Sequence, residues 1–257
     1  MNVGIIGGLG WIGRSLGRAL IETGRIAAGD LVILTRAGQP GEFYGHKVAW
    51  ANSVADLVAQ ADVIVVSVRP QDWPALDLQA QGKLVISVMA GVPLRALPPR
   101  TVRALPNAAA ELRQSYTPWL AGPGVTAEDR TTVAQILTAI GTCDAVDSEH
   151  QIDLMTATAG AGPAYSALLA RAIIGFLQAE GVRPEVAQRS AEAMICGAAP
   201  LMAGKMAEVE DLVQVFLDYK GTTAAGLTRA MELGFEQAVK AALAAATDKA
   251  RAMSASA

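Results

Sequence analysis

The chain has 257 residues and a net charge of −3, and it is 52% hydrophobic and 18% charged. Its lysines and arginines are scattered and form no basic face, so we expect no nucleic-acid partner. No apolar run of eighteen residues is free of charge, since Arg171 interrupts the best candidate, and we expect no membrane span. No basic, signal-like segment precedes the first predicted strand, which favours a cytoplasmic protein.

The residues that bind metals in proteins are few and widely separated. The histidines are His46 and His150, and the cysteines are Cys143 and Cys196, in no paired spacing. This spacing predicts no metal site and two ordinary thiols. The chemistry is therefore expected to come from something other than a metal or a catalytic histidine.

The first 147 residues alternate short apolar runs with helical patterns. The predicted strands are Val3–Ile6, Leu31–Leu34, Val63–Val66 and Leu84–Val88, and the predicted helices cover residues 13–23, 53–60 and 129–140. Each strand is apolar on both faces, as is typical of parallel strands that helices cover on both sides. We therefore predict an α/β fold with a doubly wound sheet.

The strand pattern disappears after about residue 148. Alanine-rich stretches broken by glycine and proline predict an all-helical region with four to six helices, the last over residues 234–253. We accordingly divide the chain into domains at 1–147 and 148–257. So much apolar helix in about 110 residues indicates a surface that is buried against another subunit.

A glycine-rich turn follows the first strand. Gly8, Gly10 and Gly13 fit the pattern G-x-G-x-x-G, and Gly7 stands before them as an extra residue. In such turns the first glycine allows a tight bend, the second lets the backbone approach a pyrophosphate, and the third lets the helix pack closely on the strand. Between a strand and a helix, this pattern predicts dinucleotide binding.

The end of the second strand predicts which dinucleotide binds. Thr35 and Arg36 stand where NAD-binding sites usually carry an aspartate or glutamate for the ribose 2′-hydroxyl. A guanidinium instead suits a 2′-phosphate, which favours NADP(H), with NAD left open as a second cofactor. The alternative is a solvated loop arginine with no role in binding.

Five further segments, in order along the chain, resemble pyrroline-5-carboxylate reductases. They are Val68–Gln71, similar to that family's Val-Lys-Pro-Gln; Ser87–Val92, similar to Ser-x-x-Ala-Gly-Ile; Arg103–Asn107, similar to Arg-x-Met-Pro-Asn; Glu149–Tyr165, which keeps the spacing through Gly-Ser-Gly-Pro-Ala-Tyr; and Lys220–Leu227, similar to Gly-Gly-Thr-Thr. The resemblance implies an N-terminal Rossmann domain and a C-terminal helical dimerisation domain. It also implies the NADPH-dependent reduction of Δ1-pyrroline-5-carboxylate, a cyclic imine, to L-proline.

The resemblance also implies a set of cofactor contacts and a substrate segment. The implied cofactor residues are Gly8, Leu9, Gly10, Trp11, Ile12, Gly13, Thr35, Arg36, Asn52, Val68, Arg69, Pro70, Ala90, Gly91 and Asn107. The implied partners are the cyclic imine and further copies of the same chain, as a homodimer or a larger oligomer.

The substrate residues are expected in the segment Lys220-Gly221-Thr222-Thr223. Amides and hydroxyls at a helix N-terminus suit a carboxylate, so we expect Thr222 and Thr223 to hold the substrate's carboxylate in a cleft between the domains. A protonated imine is already electrophilic, so the protein mainly has to orient it and exclude water. Lys220 is interpreted as a partner for a second carboxylate, as an aid to proton transfer, or as a solvated side chain.

Several residues depart from the family's pattern. Trp11 replaces a smaller polar residue, Ala108 and Ala109 stand where Thr-Pro is typical, Ala161 replaces a serine, and Asp218–Lys220 replaces Ser-Pro-Gly. These departures leave the exact imine open.

Three other functions are kept as alternatives to the reductase: a related NADPH-dependent imine reductase, a 3-hydroxyacid-type dehydrogenase of the same architecture, and a non-catalytic regulator that binds NADP. Glu149 and Asp153, four residues apart, are interpreted as a solvated face or a helix start and not as a catalytic pair of carboxylates.

Overall fold

The computed structural model describes residues 1–36, 38–39 and 41–256, so the predicted domain limit at Ala257 lies outside the described residues. The strands, β1 to β8, are Val3–Ile6, Leu31–Leu34, Ala49–Trp50, Val63–Val66, Leu84–Ser87, Thr101–Ala104, Ser115–Ala121 and Gly141–Ala145. The α-helices, α1 to α9, are Trp11–Glu22, Val54–Gln60, Ala127–Leu137, Glu149–Ala157, Gly162–Ala179, Pro184–Glu192, Val209–Asp218, Thr222–Glu232 and Phe235–Ser256.

The strands form one sheet in the order β3-β2-β1-β4-β5-β6-β7-β8. Neighbouring strands are parallel, except that β6 and β7 run antiparallel. Ile6 at the end of β1 lies opposite both Leu34 of β2 and Val66 of β4. The loops after these three strands therefore start level with one another at one edge of the sheet.

Helices cover both faces of this sheet. On one face Leu16 of α1 and Ile136 of α3 pack with Ile5, and on the other face Leu57 of α2 packs with Ile6. Successive residues of a strand point to opposite faces, so a strand that is covered twice must be apolar throughout. The predicted α/β doubly wound fold is confirmed.

Four strands were predicted and four were missed. β1, β2 and β4 have the predicted bounds, and β5 ends at Ser87, one residue early. β3 has only two residues, β6 carries the charged Arg103, β7 contains Pro118, and β8 has the mixed sequence Gly-Thr-Cys-Asp-Ala, so none of the four shows the apolar pattern of a buried parallel strand. Tertiary partners, which the local pattern does not reveal, determine these strands.

Side-chain caps set the beginnings of two helices. The Ser53 hydroxyl accepts a hydrogen bond from the Asp56 amide at 3.1 Å, so Ser53 is the N-cap and α2 begins at Val54, one residue after the predicted start. The predicted start of α3 at residue 129 was late. Thr126 and Asp129 form a reciprocal capping box, and the helix begins at Ala127. α3 ends at Leu137, and a 3-10 turn, Thr138–Ile140, completes the predicted helical range.

The chain divides into two compact units. The first contains residues 1–161 and the chain from residue 245 onward, and it includes the whole sheet; the second contains residues 162–244. The domain boundary at residues 147 and 148 stays a prediction. From residue 149 onward the described residues contain helices and no strand, as expected.

Candidate dinucleotide and substrate site

A cleft of about 920 Å³ opens in the first unit at the carboxyl ends of β1, β2 and β4. Its volume is in the range of small-molecule and cofactor sites. It lies where β1 is flanked by β2 on one side and β4 on the other, the place where doubly wound sheets bind ligands. The predicted cofactor residues that line it are Leu9, Gly10, Thr35, Arg36, Asn52, Val68 and Arg69.

The tight bend of the glycine turn is made by Gly7. Its φ is 83°, and a Cβ there would lie 2.3 Å from the Ser67 carbonyl oxygen, so only glycine fits. The Gly7 amide donates to the Leu34 carbonyl at 2.9 Å. Gly8 lies in the same turn, as predicted, since the Gly10 amide donates to the Gly7 carbonyl at 2.9 Å, and a Cβ on Gly8 would be 2.8 Å from Ile33 Cγ2. Gly7 is a part of the turn and not an extra residue.

The other end of the turn begins α1. A Cβ on Gly13 would lie 2.6 Å from the Gly7 carbonyl oxygen, so helix and turn are in close contact. Gly10 is the N-cap and offers no side chain, which leaves the first amides of the helix available to an anion. Ile12 packs inward against the core. Turn, helix end and cleft together fit the pyrophosphate of a dinucleotide.

Charged residues lie at the part of the cleft formed by the loops after β2 and β4. Arg36 Nη2 is 3.0 Å from Asp72 Oδ2, and Arg69 holds the same carboxylate through Nε at 2.9 Å and Nη2 at 3.2 Å. Hydrogen bonding from Arg69, followed by the charge of Arg36, keeps the pKa of the Asp72 carboxyl below its ordinary value. Asn52 Oδ1 accepts from Gln39 Nε2 at 3.2 Å.

The sequence analysis missed part of the lining. The missed residues are Ile6, Gly7, Leu34, Ser53, Val54, Ser67, Gln71, Asp72, Ala75 and Leu76. Those at or just after the ends of β1, β2 and β4 were recognisable, because the carboxyl ends of adjacent parallel strands meet at one edge of the sheet. Asp72 directly follows the Val68–Gln71 segment, which was the available signal.

The other predicted cofactor residues do not line this cleft. Pro70 opens the short 3-10 helix Pro70–Asp72, and Ala90 packs against the small cluster around Leu105. Gly91 has a φ of 74°, and a Cβ there would lie 3.0 Å from Met253 Cβ. Their contacts with a cofactor stay predictions.

Trp11 and Asn107 are both tied into the protein. The Trp11 indole N–H donates to Glu111 Oε2 at 3.0 Å, which joins the start of α1 to the 3-10 helix Ala108–Leu112. Asn107 caps that helix: its Oδ1 accepts from the Ala109 amide at 2.9 Å, and its Nδ2 donates to the Ala159 carbonyl at 2.8 Å. Trp11 thus contacts the 3-10 helix that the Ala108–Ala109 pair begins, so two departures from the family's pattern belong to connected elements.

The predicted substrate segment lies in the second unit. Gly221 is the N-cap of α8, and Thr222 and Thr223 are its exposed first two residues. The first amide to pair within the helix is that of Ala225, which donates to the Gly221 carbonyl at 3.2 Å. The amides before it have no partner in the helix, so the segment can bind an anion.

Lys220 is exposed and has a φ of 54°, a backbone conformation that favours glycine. The family resemblance places a glycine there. The turn before α8 therefore keeps a glycine-like backbone and gains a cation, at a conformational cost of about 1 kcal/mol.

The first unit contains a buried charged residue, Arg103. Arg103 on β6 is fully buried and pairs with Glu149, and burial lowers the pKa of its guanidinium to about 10. Glu149 also accepts a hydrogen bond from the Leu94 amide at 2.7 Å, and Asp153 is buried as well. Glu149 is the first residue of α4, so the interpretation as a helix start holds, but the pair is not a solvated face, because Glu149 binds the buried Arg103 and Asp153 is itself buried.

A doubly wound sheet, a glycine turn against a helix end and a dinucleotide-sized cleft define a Rossmann-type oxidoreductase. Comparison with known proteins then gives the family. The family model described as "Pyrroline-5-carboxylate reductase dimerisation" matches residues 149–253, and the one described as "NADP oxidoreductase coenzyme F420-dependent" matches residues 2–91. A pyrroline-5-carboxylate reductase of Pseudomonas aeruginosa is 34% identical, over 97% of this chain and 92% of the relative. The chain belongs to the pyrroline-5-carboxylate reductase family.

Solved structures agree with this assignment. A pyrroline-5-carboxylate reductase from Coxiella burnetii is 26% identical and has a TM-score of 0.88, with 98% of each chain covered. A Plasmodium falciparum pyrroline carboxylate reductase with NADP bound has the same fold, with a TM-score of 0.85 at 22% identity over 99% of this chain and 98% of the other. The predicted family and the predicted class, an NADP-dependent oxidoreductase, are confirmed, and the three alternatives are not favoured.

Proposed function

We propose that the chain reduces Δ1-pyrroline-5-carboxylate to L-proline with NADPH, in proline biosynthesis. The observation that carries the proposal is a dinucleotide cleft, built on Gly7, Gly10 and Gly13, in a chain that matches this family over nearly its whole length. Bound NADPH supplies the hydride. The chain's own residues bind both molecules, orient the imine carbon and exclude water.

The cofactor is held from both ends of the cleft. The first amides of α1 and the Gly10 backbone face the pyrophosphate, where the helix dipole favours negative charge. Arg36 lies at the other end and suits the 2′-phosphate of NADPH. NADH lacks that phosphate and remains a second, weaker cofactor.

The substrate carboxylate binds at the N-terminus of α8. Thr222 and Thr223 offer amides and hydroxyls there, and the helix dipole adds partial positive charge. Lys220 places a full positive charge directly before the same helix end, which favours an anionic substrate. The protonated imine nitrogen needs no strong acid beside it, which agrees with a site in which no histidine was predicted to take part.

Kinetics with a substrate panel test the reaction. NADPH oxidation is followed with Δ1-pyrroline-5-carboxylate and with the same cyclic imine lacking its carboxylate, and NADP+ reduction is followed with a 3-hydroxyacid. We expect turnover of the first and a much higher KM for the second. Turnover of the hydroxyacid alone would contradict the proposal.

Two isosteric substitutions test whether Thr222 and Thr223 bind the substrate carboxylate. Thr222→Val and Thr223→Val each remove one hydroxyl, and the loss of a hydrogen bond to a charged group lowers kcat/KM by about 10–100-fold. Thr228→Val, on the same helix and also exposed, is the matched control and keeps the wild-type value. Wild-type kinetics in both Thr222→Val and Thr223→Val would remove this segment from the site.

The second unit supports assembly as a homodimer. Large apolar side chains are exposed there, with Phe176 at 66% and Leu201 at 75% of their accessible area. By length and composition alone, residues 149–179 are apolar enough to span a membrane, but α4 ends at Ala157 and α5 begins at Gly162. This region also belongs to the match with the dimerisation family, so we assign the exposed face to a second copy of the chain. Light scattering of the purified protein tests this, and a monomer would contradict it.

We also propose a cytoplasmic location. Cys143 and Cys196 are free thiols, as is usual in a reducing compartment, and the reaction consumes a reduced nucleotide. Fractionation of cells that produce a tagged chain tests this location.

A further inference from the structure

The Asp72 carboxylate lies between two arginines in the dinucleotide cleft. Arg69 binds it with two hydrogen bonds, whereas Arg36 binds it with one. The Asp72 side chain is 22% exposed, and the Arg36 side chain is 80% exposed. Arg36 is therefore the more weakly held partner of this trio, and Arg69 is the partner that keeps the carboxylate in place.

The trio brings together groups from two different loops. Arg36 follows β2, and Arg69 and Asp72 follow β4, on the other side of β1. In many NAD-binding sites an acidic residue at the end of the second strand binds the ribose hydroxyls. Here the end of β2 carries no acid, and the loop after β4 brings one to the same place.

We infer that Asp72 sets the balance between NADPH and NADH in this protein, an inference that rests on the proposed function. To bind Arg36, the 2′-phosphate of NADPH must break the ion pair between Arg36 and Asp72, and it then lies beside the negative Asp72 carboxylate. The ribose 2′-hydroxyl of NADH instead donates a hydrogen bond to the Asp72 carboxylate. Asp72 thus weakens NADPH binding and supports NADH binding.

Arg69 makes this exchange feasible. Its two hydrogen bonds hold Asp72 in place after Arg36 has moved to a phosphate, so no unpaired carboxylate is left in the cleft. The same hydrogen bonds keep the pKa of Asp72 low, so the carboxylate stays negative at every pH at which the enzyme is expected to work. Asp72 is therefore a fixed negative charge near the ribose.

Binding measurements on Asp72→Asn test the inference without relying on turnover. Asparagine keeps the shape and removes the charge. Calorimetry with NADPH, NADH, adenosine 2′,5′-bisphosphate and AMP separates the effect on the 2′-phosphate from all other contacts. At about 5 Å in a watery cleft, the repulsion between a carboxylate and a phosphate corresponds to about tenfold in affinity.

We expect Asp72→Asn to bind NADPH and the bisphosphate about tenfold more tightly than the wild type, and NADH and AMP no more tightly. Asp77→Asn is the matched control. Asp77 lies in the same loop, is exposed and is outside the cleft lining, and asparagine tolerates its positive φ of 45°. Asp72→Ser is a second variant in case the first does not fold.

The outcomes separate the inference from the proposed function. An unchanged NADPH-to-NADH affinity ratio in Asp72→Asn overturns the inference alone, as does equal weakening of both cofactors, which indicates a structural role. A wild-type protein that binds neither NADPH nor NADH overturns the proposed function, and the inference with it.

Discussion

The contact between Gly13 and Gly7 gives the sharpest test of the dinucleotide turn. In Gly13→Ala the new methyl group would lie 2.6 Å from the Gly7 carbonyl oxygen and 3.0 Å from Gly8 Cα. Ordinary contact begins at 3.4 Å, and both neighbours are backbone atoms that cannot rotate away, so turn and helix must separate by about 0.8 Å. Such overpacking costs about 1–3 kcal/mol, partly offset by about 1 kcal/mol of helix propensity gained by alanine.

We therefore expect Gly13→Ala to lower Tm by up to roughly 8 °C. We also expect it to weaken NADPH binding by about 10–100-fold, because the displaced amides no longer meet the pyrophosphate. Calorimetric titration and a thermal melt give both values. Gly29→Ala is the control: it adds the same methyl group in the same unit, and nothing lies within 4 Å of it. Wild-type affinity and wild-type Tm in Gly13→Ala would refute the close contact on which this reasoning rests.

Three further predictions concern charged groups. Arg36→Ala weakens NADPH binding about tenfold and leaves NADH binding unchanged, and an unaltered ratio by calorimetry would argue against a 2′-phosphate at this arginine. Hydrogen bonding from Arg100 lowers the pKa of Asp129 from 3.8 to about 2, so its stabilising effect is complete above pH 3.8 and is lost as pH falls through 2. The difference in urea stability between wild type and Asp129→Asn should vanish over that range, and a difference independent of pH would contradict the assignment. Glu149→Ala leaves the buried Arg103 guanidinium without its partner and should cost about 2–3 kcal/mol, more than Arg103→Met, which removes the charge itself; the reverse order in denaturant unfolding would show that the pair is not needed.

The central strands could be predicted from the sequence because burial on both faces requires consecutive apolar residues. β1, β2 and β4 are apolar at nearly every position, and a run of this kind is typical of a buried parallel strand. β6 carries Arg103, whose partner Glu149 lies 46 residues further along the chain. No local pattern predicts a buried charge that a distant helix neutralises.

In the cofactor site, too, the residues marked by a local sequence pattern were predicted, and those that depend on distant parts of the chain were missed. Arg36 was predicted to lie at the cofactor site because it comes directly after a strand, and it does line the cleft. Asp72 was missed because its contact with Arg36 joins two loops that meet only when β2 and β4 take their places beside β1. Gly7 was taken for an extra residue because the pattern fixes spacing but not φ, and φ decides which glycine bends the chain.

The level ends of β1, β2 and β4 bear on how such an enzyme changes over evolutionary time. Ile6, Leu34 and Val66 are the last residues of their strands and share one register, and each strand leads directly into a loop. Substitutions of the loop residues can change which cofactor is bound without altering the hydrogen bonds between β1, β2 and β4. A lineage that switches its source of reducing equivalents can therefore do so by a few surface replacements, with little effect on its folding.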